Sequence, residues 1–363
     1  MKKNQKRKIV LVCPRTPRLY STGLENLTVQ LARYFSNAGL EVEIFTTTPQ
    51  KTQSVDWQGL TIREFSAFSP KESYFFSIEL FSALKKSDAD FVLVNGYNNL
   101  PTLFAMLAKK KNQKLAIYVN ASGAHSRFKK FLRSFFDRLI RFFNSRIDYV
   151  FYSSDSESEQ YRHLFGKVPS EIIGLGIDRK RIESVKVEKI PGRLLCVGRL
   201  VKSKGFLDLL PAFAIVAKQN PKVQLVIIGD GPDREEFVAL AQKLAISSKV
   251  EFKGAMTDRD AYLKELKCSS ALILLLGFRA VSLVLLEGLA AQIPVIVNQG
   301  ASPAFAQKKY VVEIKNQKDP VKTAEVIAKV LKNPQQFVPK NPEVFTWEEI
   351  GERIKNVLES AKK

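Results

Sequence analysis

Residues 193–232 read RLLCVGRLVKSKGFLDLLPAFAIVAKQNPKVQLVIIGDGP. The apolar run RLLCV stops at a glycine, a basic loop follows, and the apolar-periodic stretch GFLDLLPAFAIVAKQN leads into a second apolar run that ends in Gly-Asp-Gly-Pro. Strands buried on both faces need short uninterrupted apolar runs, and two parallel strands need a crossover such as an amphipathic helix. The stretch therefore predicts a strand–helix–strand unit. The alternation continues through REEFVALAQKLA, VEFKG, AYLKELKCSSALILLL and PVIVN. It also runs earlier, through KIVLVCP, NLTVQLARYFSNAG, EVEIFTTT, FVLVN, LPTLFAMLAKKK, KLAIYVN and YVFYSS. Between the two series, DRKRIESVKVEKIPG (178–192) carries no strong period and reads as a connection.

The expected architecture is α/β, with two doubly wound, Rossmann-like parallel-sheet domains facing a central cleft. The boundaries expected are 1–180 for the first domain, 181–193 for the linker, 194–343 for the second domain and 344–363 for a C-terminal helix. Thr346 and Glu349, three residues apart, form a capping box at the start of that helix.

A chain of 363 residues accommodates two cores of ordinary domain size. Cys13, Cys196 and Cys268 are far apart on apolar runs, as buried thiols of a reducing compartment would be, and they match no disulfide frame or thiolate metal site. The basic start MKKNQKRKIVLVCP runs into a short strand, so neither a signal peptide nor an anchor is expected, and the reading is cytoplasmic. Lys and Arg outnumber Asp and Glu by 57 to 36, a formal charge of +21, which favours polyanions, anionic lipid surfaces or phosphorylated substrates. No zinc-ligand spacing, RNP-like aromatic motif or basic zipper accompanies the charge, so nucleic acid is not an expected partner.

Ligands of such folds bind at the C-terminal ends of the strands. In VGRLVKSKGF, Arg199 and Lys204 stand beside glycines and ahead of a helix, where two cations either grip a diphosphate or make up a solvated basic loop. VIIGDGP reads as turn chemistry around Asp230 and Gly231. In LGFRAVSLVLLEGLAAQIPVIV (276–297) a single acid, Glu287, lies within an apolar helical run. If Val281 to Leu283 start the helix, their amides point to where a phosphate would sit, and Glu287 either accepts bonds from two ribose hydroxyls or complements the helix dipole. Asp88 and Asp90 precede their strand and read as a turn, not a metal site.

Taken together, VGRLVKSKG, VIIGDGP, VEFKG and SLVLLEGLAAQIPVIV resemble the donor half of the family 4 retaining glycosyltransferases of GT-B fold. STGLENLTVQLARYFSNAGLEVEIFTTTP resembles the start of that family's acceptor domain, and FTWEEIGERIKNVLES is similar to its final helix, which crosses back to the first domain. The resemblance implies transfer from a nucleotide-sugar donor, UDP- or GDP-linked, with retention and with no metal or other cofactor. It gives Arg199 and Lys204 the leaving diphosphate, the backbone around Ser282 and Leu283 the rest of that cradle, and Glu287 the ribose. Gly23, Asn120 and His125 fall on the acceptor side.

The chain departs from the family where it has Arg279 in place of the first glutamate of Glu-x7-Glu, Arg-Ala-Val-Ser in place of Glu-Gly-Phe-Gly, and Gln292 in place of a glycine. Arg279 admits three readings: it binds an acidic donor sugar through its planar fork, it marks a silent pseudoenzyme serving as a binding subunit with a protein partner, or it turns outward without consequence.

On the acceptor side, SRFKKFLRSFFDRLIRFFNSRIDYVFY sets Phe128, Phe131, Leu132, Phe135, Leu139 and Phe142 at helical spacing among basic residues. Either the phenylalanine face and the basic face lie together at the interface of an anionic membrane, or the stripe packs onto the sheet and only the basic face is exposed. In both, Lys129, Lys130, Arg133 and Arg138 are expected to face an anionic membrane or a lipid-linked acceptor.

Overall fold

The computed structural model describes residues 6–20, 23–69, 75–119, 127–275, 282–300 and 310–360, and for 127–132 the backbone alone. The chain divides into two compact units, Met1–Gly176 with Phe345–Lys363, and Ile177–Val344.

The sheet of the first unit has the spatial order Gln53–Trp57, Leu60–Ser66, Glu41–Thr48, Lys8–Cys13, Phe91–Asn95, Lys114–Val119, Tyr149–Tyr152, Ser170–Ile172. The edge strand Gln53–Trp57 is antiparallel to its neighbour, and the other pairings are parallel. Lys8–Cys13 and Phe91–Asn95 are apolar almost throughout because helices cover both faces of the sheet. The helix Gly23–Asn37 buries Leu27, Leu31 and Phe35, one stripe at fourfold spacing.

In the second unit the order is Val250–Gly254, Gln224–Ile228, Arg193–Val197, Ala271–Leu274, Val295–Asn298, Val311–Ile314, all parallel. Strand order therefore reverses between Arg193–Val197 and Ala271–Leu274. The loops leaving the C-terminal ends of these two strands flank the switch point at which open α/β sheets bind ligands.

One boundary differs from expectation. The segment read as a linker from 181 belongs to the second unit and contains the helix Arg179–Ser184. Asp178 caps that helix, Ile182 is fully buried, and Lys267 Nζ donates to the carbonyls of Ile182 and Val185. The final helix, Trp347–Ser360, is grouped with the first unit. Thr346 and Glu349 form the reciprocal capping box at its start. Its Gly351 lies so close to the Tyr34 ring that a Cβ there would collide, and Arg353 Nη2 reaches Glu171 at 2.5 Å.

The helix Arg127–Phe143 also differs from expectation. The face packed on the core is made of Phe136, Ile140 and Phe143, not of Phe135, Leu139 and Phe142. Burying Phe136 and Ile140 contributes about 1.5–3 kcal/mol each. Phe135 and Phe142 stay 53% and 78% exposed. Arg133, expected to face a membrane, turns inward instead. Its Nη2 donates to Tyr97 Oη at 2.7 Å and its guanidinium lies 4.9 Å from the Tyr161 ring centre, because a buried phenol needs a donor and the ring faces attract the cation. Arg138 is exposed. The side chains of Lys129 and Lys130 lie outside the described residues.

Candidate functional site

The loop after Arg193–Val197 is shaped by backbone packed against backbone. Gly198 N donates to Ile228 O, Leu200 N to Asp230 O and Asp233 N to Leu200 O, while Asp233 Oδ2 accepts from Lys202 N at 2.8 Å. A Cβ on Gly229 would strike the Gly198 carbonyl, and one on Gly231 would strike the Leu200 carbonyl. The Gly-Asp-Gly-Pro turn thus supports the loop that carries Arg199 and Lys204. Gly205 ends the loop at φ +71, in the left-handed region, and caps the helix Phe206–Gln219. A Cβ there would collide with Leu275, so the Arg199–Lys204 loop touches the end of the neighbouring strand.

Arg199 is exposed. Lys204 is partly buried, and that burial pulls its ammonium below the ordinary lysine range. Lys202 pairs with Glu236 at 2.9 Å. Ser282 is the extended residue before the helix Leu283–Ala290 and makes no side-chain cap bond, so Leu283 is the first helical residue. Two helix N-termini, at Phe206 and Leu283, thus follow adjacent strands at the switch point, an arrangement suited to a diphosphate. Arg279 lies outside the described residues.

Glu287, on the second turn of that helix, is 5% exposed. Its Oε1 accepts from Arg259 Nη2 at 2.5 Å and its Oε2 from Tyr262 Oη at 2.6 Å. Arg259 and Tyr262 are on the helix Arg259–Cys268, and the guanidinium lies 4.8 Å from the Tyr262 ring centre. Sequence reasoning missed both residues. Their spacing of three puts them on one helix face, but the carboxylate they serve is 25 to 28 residues away and is delivered by a crossover.

In the first unit Gly23 opens the helix Gly23–Asn37. Asn120 and His125 lie outside the described residues. The loop leaving Lys8–Cys13 is held by side chains: Arg15 Nε donates to Glu25 Oε1 at 2.8 Å, and Arg18 Nε and Nη2 donate to the two oxygens of Glu64 at 2.8 and 2.9 Å. Thr16 Oγ1 and Gln53 Nε2 also donate to Glu64, which is fully buried. Asp88 and Asp90 are engaged by Lys8, through its ammonium and its backbone amide respectively.

The family model described as glycosyl transferases group 1 matches residues 178–360, just over half of the chain, and that of glycosyltransferase family 4 matches residues 21–181. The chain belongs to the family 4 glycosyltransferases. The chain is 26% identical over 245 residues to the N-acetylgalactosamine-N,N'-diacetylbacillosaminyl-diphospho-undecaprenol 4-alpha-N-acetylgalactosaminyltransferase of Campylobacter jejuni, a match spanning 63% of this chain and 64% of that protein. It is 25% identical over 307 residues to the alpha-monoglucosyldiacylglycerol synthase of Streptococcus pneumoniae, spanning 77% of this chain and 67% of that protein. Among solved structures, Anabaena HepE in complex with UDP and glucose superimposes with a TM-score of 0.75 at 14% identity, covering 98% of this chain and all of that one, which establishes the GT-B fold.

Proposed function

We propose that the protein transfers a sugar from a nucleotide-sugar donor to a lipid-linked acceptor, with retention at the anomeric carbon and without a bound metal. The observation that carries the donor half is the contact of Gly205 with Leu275, which holds the Arg199–Lys204 loop against the strand leading to the Leu283–Ala290 helix. Two cations and two helix N-termini there would neutralise a leaving diphosphate as the glycosidic bond stretches, a task that metal ions perform elsewhere. Glu287 would accept the ribose hydroxyls. Retention rests on the family resemblance, and a UDP donor is supported by the ligands named for HepE.

A lipid-linked acceptor is supported by two relatives whose names carry diphospho-undecaprenol and diacylglycerol. The helix Arg127–Phe143 supports it independently. Over residues 133–143 the exposed side chains are Ser134, Phe135, Arg138, Arg141 and Phe142, two aromatics with two cations and no acid. Such a face suits the boundary of an anionic bilayer, where each basic residue contributes about 1 kcal/mol.

Two measurements test the proposal. In a thermal-shift panel of UDP, GDP, UDP-glucose, UDP-glucuronate and GDP-mannose, one base should stabilise the protein, by about 2.7 kcal/mol at a hundredfold excess over Kd. No shift with any of them would contradict the donor reading and favour a silent binding subunit. In sedimentation with anionic vesicles at low salt the protein should pellet, and the Phe142→Ser, Arg138→Glu double variant should bind about tenfold more weakly. Equal pelleting of the two would exclude this helix as the contact.

A further inference from the structure

Glu287 is nearly inaccessible, yet it is the residue that family membership sets against the donor. A buried carboxylate has to be matched in charge and in hydrogen bonds, and it has about four acceptor positions on its two oxygens. Among the described residues, Arg259 supplies one donor to Oε1 and Tyr262 one donor to Oε2. One donor per oxygen leaves each oxygen one further acceptor position, the number that two neighbouring hydroxyls require. Arg259 is itself held in place by the face of the Tyr262 ring, and Tyr262 is 6% exposed. The helix carrying both is fixed at its start, where Asp258 Oδ1 accepts from the amides of Asp260 and Ala261 and Arg181 Nε donates to Asp260 at 2.8 Å.

We propose that Arg259 and Tyr262 are positioning residues that fix the plane of the Glu287 carboxylate so that its remaining acceptor positions read both ribose hydroxyls of the donor. This rests on the ribose role of Glu287 proposed above. Arg259 contributes charge balance and one bond, while Tyr262 sets the rotation of the carboxylate and the position of the guanidinium. Neither residue has to touch the donor. Selection for a ribonucleotide then depends on a hydrogen-bonded trio drawn from two helices, and not on the glutamate alone.

The test is isothermal titration of the full-length protein with UDP and GDP, and with the counterparts of each that lack both ribose hydroxyls. The variants are Tyr262→Phe, Arg259→Gln and Glu287→Gln. Wild type should prefer the base that it binds in its ribose form by at least about tenfold. Tyr262→Phe and Arg259→Gln should reduce that preference by about the same factor, with the affinity for the hydroxyl-free form within about twofold of wild type. A full preference retained in both variants would overturn the positioning role and leave the ribose role of Glu287 intact. Equal loss of both ligand forms would make the trio a purely structural support and also overturn it. A wild type with no ribose preference, a Glu287→Gln variant that keeps it, or no binding of either nucleotide would sink the underlying donor reading, and this proposal with it.

Discussion

The two units place one topology under two different loops. In both, the strand that opens the parallel sheet ends at the switch point and feeds a loop rich in cations. In the first unit those cations are spent within the protein. Arg15 and Arg18 pair with Glu25 and Glu64, two acids buried below the loop. In the second unit the backbone is held by backbone, Gly229 and Gly231 against Gly198 and Leu200, and Arg199 remains exposed. A loop braced through its main chain can leave a side chain such as Arg199 exposed to a ligand. A loop braced through its side chains presents backbone and shape. Under the proposed function, charge neutralisation would fall to the second unit's loop, while the cations of the first unit's loop brace it.

The largest effect expected is on turnover. Arg199→Ala should lower kcat about 10²–10³-fold with a much smaller change in donor KM, because charge builds on the leaving phosphate only as the bond breaks. Unchanged turnover would remove the distinction between the loops. Next is stability. Glu64→Ala should cost about 2–3 kcal/mol in denaturant unfolding, since it leaves Arg18, Thr16 and Gln53 without their acceptor. Burial alone would raise the Glu64 pKa, but its bonds from Arg18, Thr16 and Gln53 hold it below the usual range. Its contribution is therefore complete above the unfolded value of about 4.3 and is lost as pH falls through the folded one. Glu64→Gln should lack that acid-sensitive component, and an identical acid profile would show that Glu64 is not the brace.

The smallest effect is in the pH profile. Burial lowers the Lys204 pKa, so the protonated form, the one that would neutralise a phosphate, is present at low pH and is lost as pH rises, below the roughly 10.4 of an unperturbed lysine. Lys204→Arg should move this basic limb of kcat/KM to higher pH. A limb that stays in place would assign the titration to another group.

The two sheets were legible because strands buried on both faces leave short apolar runs such as KIVLVC and RLLCV, each ended by a proline or glycine and alternating with longer helical stretches. The Arg127–Phe143 helix was not. Phe135, Leu139 and Phe142 share the helical spacing of Phe136, Ile140 and Phe143, and only the sheet beneath selects between the two stripes. Choosing the wrong stripe also turned Arg133 outward. The helix Arg179–Ser184 was hidden because it buries one apolar residue, Ile182, too few for a period. In the candidate site, Arg199, Lys204 and Glu287 stood out as polar residues at strand ends or in an apolar run. Arg259 and Tyr262 did not, because a bond across two helices leaves no local pattern.

The assignment of the donor to the second unit is tested most directly by amide hydrogen exchange of the full-length protein with and without the nucleoside diphosphate that stabilises it. The account predicts protection of residues 198–206 and 282–288, with 14–20 and 96–100, the segments that leave the first-unit strands Lys8–Cys13 and Phe91–Asn95, unchanged. Protection at 14–20 and 96–100 in place of the second-unit loops would contradict it.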